Sequence, residues 1–149
     1  MLDQVAMPAE GAEFPLGFCD SSSPPFLFAG FSSRGWRYVG PPPSQRRVIK
    51  AKLVRLGSAR DLREARQIAD EMDYSLVSDR AQEPFTALFP RPAQKGLVIF
   101  GGSEWENALG RLFVVCIRVS EGAWNLFLRP SDELFGEFCL WMAGKKEGT

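Results

Sequence analysis

The chain has 149 residues and no histidine. That absence removes the side chain that most often serves as general base or metal ligand near neutral pH. A Ser-His-Asp triad, an internal Cys–His pair and a His-bearing zinc site are all excluded. Cysteine is scarce too: Cys19, Cys116 and Cys139 are odd in number, widely separated and without a CxxC spacing. They suit neither a secreted disulfide framework nor a structural zinc site, and reduced thiols in a cytoplasmic protein fit better, with Cys116 and Cys139 buried and inert in apolar runs. No DxD, HExxH, GxSxG, P-loop or GxGxxG pattern is present, so the common metal, nucleophile and phosphate motifs are missing. The most apolar window, Leu97 to Val119, is broken by Glu104, Glu106 and Arg111. It falls short of the ~20 apolar residues of a membrane span. Met1-Leu2-Asp3-Gln4 brings an acid early and no apolar run, unlike a signal peptide. No internal repeat is visible.

Net charge is also absent, since 18 basic residues match 18 acidic ones. The balance is not local. Arg46, Arg47, Lys50, Lys52, Arg55, Arg60, Arg63 and Arg66 face only Asp61 and Glu64, which leaves +6 over 46–66 and −6 over the other 128 residues.

What is present reads as a globular domain, 45% hydrophobic and 24% charged. A chain of this length buries about 68–70% of its unfolded surface and needs no staple. Residues 1–45 form a Pro/Gly/Ser-rich arm, 18 of whose 45 positions are those three types. Its aromatics, Phe14, Phe18, Phe26, Phe28, Phe31, Trp36 and Tyr38, argue that it packs on the domain. Within it, Phe26–Phe31 and Trp36–Val39 around Ser32–Gly35 predict a β-hairpin ended by Pro41–Pro43.

The domain proper spans 46–144, with 145–149 a frayed tail. Arg46–Leu56 predicts a strand with Ile49, Ala51 and Leu53 on one face. After Gly57, an N-cap at Ser58 with Asp61 opens a helix that buries Leu62, Ala65, Ile68, Ala69 and Met72. Residues 75–95, with three prolines, predict an irregular connection containing a short extended piece at Phe85–Phe89. Leu97–Phe100 predicts a strand covered on both faces. Arg111–Val119, a turn at Ser120–Gly122 and Ala123–Arg129 predict a hairpin. Pro130-Ser131 starts an expected terminal helix burying Leu134, Phe135, Phe138, Trp141 and Met142, capped by Gly144. The expected fold is α+β, an antiparallel or mixed sheet of about five or six strands with two helices packed on one face.

Three groups are candidate sites. Gly101–Glu106 reads as a loop: a capping box of Ser103 and Glu106, a hairpin loop closed by Asn107 and Gly110, or a functional loop. In the last case Trp105 offers its π face to a cationic ligand between Glu104 and Glu106. The hairpin aromatics Phe31, Trp36 and Tyr38 supply a lid over the core or a second wall of that site. The cations Arg46, Arg47, Lys50, Lys52, Arg55 and Arg63 supply a solvated face or, as an alternative, a nucleic-acid surface. Catalysis without histidine falls to carboxylates, Lys, Tyr or Cys, and a carboxylate hydrolase using Glu104 or Glu106 is a third alternative. The leading expectation is a non-catalytic binding module for a protein partner or small, cationic ligand, with no cofactor, no metal and no membrane partner. A hairpin edge and aromatic surface suit a homodimer.

Overall fold

The computed structural model describes residues 8–19, 34–42, 44–57, 61–90 and 96–146. Eight strands and two helices follow in the order β1 (Phe14–Phe18), β2 (Arg37–Val39), β3 (Arg47–Val54), α1 (Leu62–Glu71), β4 (Tyr74–Leu76), α2 (Gln82–Leu88), β5 (Leu97–Glu106), β6 (Leu112–Ser120), β7 (Ala123–Pro130) and β8 (Leu140–Lys145). The main path of the sheet runs β1-β3-β8-β5-β6-β7, with β4 beside β8 and β2 beside β5. Every pairing is antiparallel except β5 with β8. The fold is α+β with a mixed sheet, as the sequence predicts. The described residues hold eight strands rather than five or six.

Alternation on the central strands divides the core into two layers. Leu140 and Met142 of β8, Val98 and Phe100 of β5, and Val115 and Ile117 of β6 face one layer with α2. Trp141, Ala143, Ile99, Val114 and Cys116 face the other with α1. Two-sided burial makes β8 and β5 read as continuous apolar runs. The helices therefore cover opposite faces, not one. Phe85 of α2 lies 5.9 Å from the Phe14 ring on β1 and 5.8 Å from Trp124 on β7. One aromatic thus touches both edge strands, so the sheet curls around α2 and this face is concave. The Trp124 indole N–H also donates to the Phe89 carbonyl at 2.7 Å.

The first helix forms in the expected region but starts later than an N-cap at Ser58 would place it. Asp61 is its N-cap, accepting from the Glu64 N–H at 2.9 Å, and Leu62, Ala65 and Ala69 are buried. Ile68 is half-buried, whereas Met72 at the C-cap is exposed. Ser58 lies outside the described residues. The second helix is not the expected one: α2 occupies the region read as irregular. Its Pro84 sits in the first turn, where N–H groups lack intrahelical partners and proline costs little.

The expected terminal helix is a turn followed by β8. Its helical spacing is fortuitous. Leu134 and Phe138, assigned to the buried stripe, are 60% and 70% exposed. Leu140–Ala143 instead form a strand between β3 and β5, buried on both faces. A short apolar run fits either structure by periodicity alone.

Gly101–Glu106 is likewise the second half of β5, not a loop or a helical turn. β5 and β8 pair only at Val98–Leu140 and Ile99–Trp141. Val77 fills the gap beyond, its N–H donating to Met142 O and its carbonyl accepting from the Gly102 N–H. A Cβ on Gly102 would stand 2.5 Å from the Val77 carbonyl carbon and 2.6 Å from the Ser78 nitrogen. The glycine pair permits this close backbone approach. The turn at Asn107–Gly110 does close the β5–β6 hairpin: Asn107 Oδ1 accepts from the Leu109 and Arg111 N–H groups.

For the arm, β2 pairs with β5, and Phe26–Phe31, the other half of the expected hairpin, lies outside the described residues. No helix among the described residues is long and apolar enough to cross a membrane.

Candidate functional site

Pairing of β2 with β5 brings together Trp36, Tyr38, Glu104, Trp105 and Glu106 but divides them between faces. Tyr38 is opposite Trp105, whereas Val39 and Arg37 are opposite Glu104 and Glu106. Paired residues share a face and successive ones do not. The aromatics and the carboxylates therefore point opposite ways. The expected arrangement, an indole between two flanking carboxylates, is not formed. Phe31 lies outside the described residues.

On the aromatic side, Trp105 is 1% exposed and donates from Nε1 to Asp79 Oδ2 at 2.8 Å. The Asp79 N–H donates to Ser103 Oγ at 2.9 Å. The Tyr38 ring stands 5.3 Å from Trp105 and carries the Arg80 guanidinium 4.0 Å above it. Arg80 Nε is 3.8 Å from Asp79 Oδ1, and both side chains are buried. Trp36 is half-buried and packs on Phe113 at 5.2 Å.

On the carboxylate side, Glu106 takes Arg37 Nε and Nη2 at 3.0 and 2.8 Å near the surface. Glu104 is buried and pairs with Arg66 Nη2 at 3.0 Å, while Arg66 Nε donates to the Gly101 carbonyl at 2.9 Å. Glu104 forms part of a cleft of about 600 Å³ between the start of α1, the β5–β6 hairpin and the turn after β7. Arg63, Arg66 and Arg111 supply its cations, and Asp61, Glu104 and Asp132 its carboxylates. Arg111 Nη2 is 3.6 Å from Asp132 and 3.7 Å from Glu133, loose pairs at the rim. Ser131 also lines the cleft, and its buried Oγ finds no hydrogen-bond partner among the described residues.

Sequence reading missed Arg111, Ser131 and Asp132 as site residues, taking them for the start of a strand and of a helix. Nothing local marks them, because only the β5–β6–β7 register carries them to α1. The backbone bonds Leu62 N–H to Ser131 O and Ser131 N–H to Leu112 O make that junction.

The cations of 46–66 are spread out. Arg47 lies over Phe18, Lys52 over Tyr74, and Arg55 over Phe138 while pairing with Glu10 at 3.0 Å. Lys50 is exposed on β3, Arg46 lies against Gly17, and Arg63 joins the cleft. The two buried thiols are poor nucleophiles: burial pushes Cys116 far up, an effect Arg129 only partly opposes, and raises Cys139 too.

No protein-family model, curated protein or solved structure matches this chain.

Proposed function

We propose that the chain is a non-catalytic binding module whose recognition site is the cleft at the start of α1, and that its ligand is a small polar molecule carrying both charges. The balanced charge of the lining carries this reading. The lining holds three cations and three carboxylates, so a zwitterion gains attraction at both ends and meets no net repulsion. Its carboxylate would lie toward Arg63 and Arg111, its ammonium toward Glu104 and Asp132. The size falls within the roughly 300–1,000 Å³ of small-molecule sites.

Free amino acids are suitable probes, with their N-acetyl and amide derivatives, which each lack one charge. Calorimetric titration is expected to give saturable binding for some amino acids and at least about tenfold weaker binding for both derivatives. Arg111→Ala should weaken that binding about tenfold, the loss of one charge-assisted contact, without lowering the melting temperature of the free protein. Equal affinity for the singly charged derivatives, or no saturable binding by any amino acid, overturns the reading.

A protein partner is the second reading, favoured by Leu109, which is 93% exposed at the hairpin tip beside the cleft. It predicts an interaction lost in Leu109→Asp and unaffected by free amino acids. Nucleic-acid binding has less support, because the cations of 46–66 lie over rings or beside acids in several places. A carboxylate hydrolase also has less, because Glu104 and Glu106 are each engaged by an arginine.

A further inference from the structure

A second cavity, sharing no residue with the first, opens where β8 runs out between β3 and β4. It has a volume of about 340 Å³. Its floor is the end of the concave apolar layer: Phe18, Ile49 and Val77 are buried there. Gly144 leaves that floor open, since a Cβ on it would stand 2.8 Å from Ile49 Cδ1. The lining carries Arg47, Lys145 and Lys146 with Ser75 and Ser78, and no Asp or Glu among the described residues. Lys146 pairs with Asp70 outside the cavity. Lys145 is exposed and makes no ion pair among the described residues.

We propose that this cavity binds a small organic monoanion: a carboxylate on an apolar body. The body lies against Phe18, Ile49 and Val77, and the carboxylate meets Lys145 and Arg47. Each half of the cavity excludes a simpler ligand. A bare anion leaves the apolar floor uncovered, where burial contributes roughly 25 cal/mol per Å². A neutral apolar molecule covers the floor but makes no charge-assisted bond at the rim. The volume lies near the lower end of the usual roughly 300–1,000 Å³ range, which favours a small molecule over a peptide segment.

The test titrates the full chain with octanoate and phenylacetate, with octanamide and phenylacetamide as uncharged counterparts and inorganic phosphate as the bare anion. Chemical shifts of residues 75–78 and 144–146 and calorimetry give site and affinity. Both carboxylates are expected to saturate there at millimolar concentration or below. The amides and phosphate should bind at least about tenfold more weakly, the size of one charge-assisted contact. Arg47→Glu with Lys145→Glu should remove binding without altering the far-UV spectrum, whereas Arg111→Ala in the other cleft should leave it intact. If the double reversal does not fold, Lys145→Gln alone should weaken octanoate at least about threefold. Equal binding of octanamide, equal binding of phosphate, shifts confined to other residues, or no saturation in the millimolar range overturns the proposal.

Discussion

Trp105 and Asp79 form a buried hydrogen bond, indole Nε1 to carboxylate Oδ2 at 2.8 Å, with both residues 1% exposed. It ties β5 to the turn that precedes α2, across a region where β2 also meets β5. Trp105→Phe keeps an aromatic ring but removes the donor from a buried carboxylate. The expected loss is about 1–3 kcal/mol in urea unfolding, with binding at the α1 cleft unchanged because Trp105 points the other way. Asp79→Asn also takes the counter-charge from the buried Arg80 guanidinium, so only a double-mutant cycle isolates the Trp105–Asp79 pair. A strictly additive cycle would show that the bond contributes nothing.

The glycines of β5 and of the following turn should respond oppositely to what a loop predicts. Gly102→Ala forces a methyl group against the Val77–Ser78 backbone, where 2.5 Å is available. Backbone cannot rotate away as a side chain can, so the cost should be at least the about 1–3 kcal/mol of overpacking. Gly110 has φ +83° and open space around its Cβ position, so Gly110→Ala should cost only about 1 kcal/mol of left-handed strain. Thermal unfolding of both variants checks the order; the reverse order is the failing result.

That contrast marks how far the sequence can be read. β3, α1 and the β6–β7 hairpin are legible because local rules decide them. Alternation sets Ile49, Ala51 and Leu53, an aspartate caps the helix, and the hairpin turn places Glu121 and Gly122 at positive φ. β8 and α2 are not legible, for a physical reason in each case. Leu140–Ala143 are apolar because both faces are covered, so no period survives to separate strand from helix. In α2, Pro84 in the first turn and Pro90 just beyond the end hide about two turns of helix whose signal is tertiary, Phe85 filling the curl of the sheet. For the candidate site, Glu104 was recognisable as a charged residue in an apolar run. Arg66 and Arg111 as its neighbours follow only from three-dimensional register.

Thiol chemistry offers a direct check on the two-layer core. Cys19 is exposed, whereas Cys116 and Cys139 are buried. A disulfide reagent at pH 8 should titrate one fast thiol in the native protein and three in denaturant. Burial raises the Cys116 and Cys139 thiols, so the folded protein holds these protons where the unfolded chain releases them. The sign follows: their contribution to stability is intact below the ordinary thiol value of about 8.5 and declines as pH rises above it. Urea midpoints at pH 7 and pH 10 should fall accordingly, and Cys116→Ala should flatten that part of the fall. Three fast thiols in the native state would contradict the buried assignment.

Phe85 is fully buried and meets Phe14, Phe89, Phe100 and Trp124 at ring distances of 5.2–6.3 Å. Removing it opens a cavity between the two edges of the curled sheet, and Phe→Ala in a core costs about 3–5 kcal/mol. The effect should not be uniform. Among the described residues, β1 joins the sheet only along β3 and β7 only along β6, so α2 is the cover their outer edges have there. Hydrogen exchange in Phe85→Leu, which keeps an apolar side chain there and should leave the domain folded, is expected to accelerate first in β1 and β7. Exchange in β5 and β8 should stay slow. The freed edges present unpaired backbone groups, so Phe85→Ala should also aggregate more readily than Phe85→Leu at equal distance below the melting temperature. Equal acceleration across all strands would mean that the sheet holds its curl without Phe85.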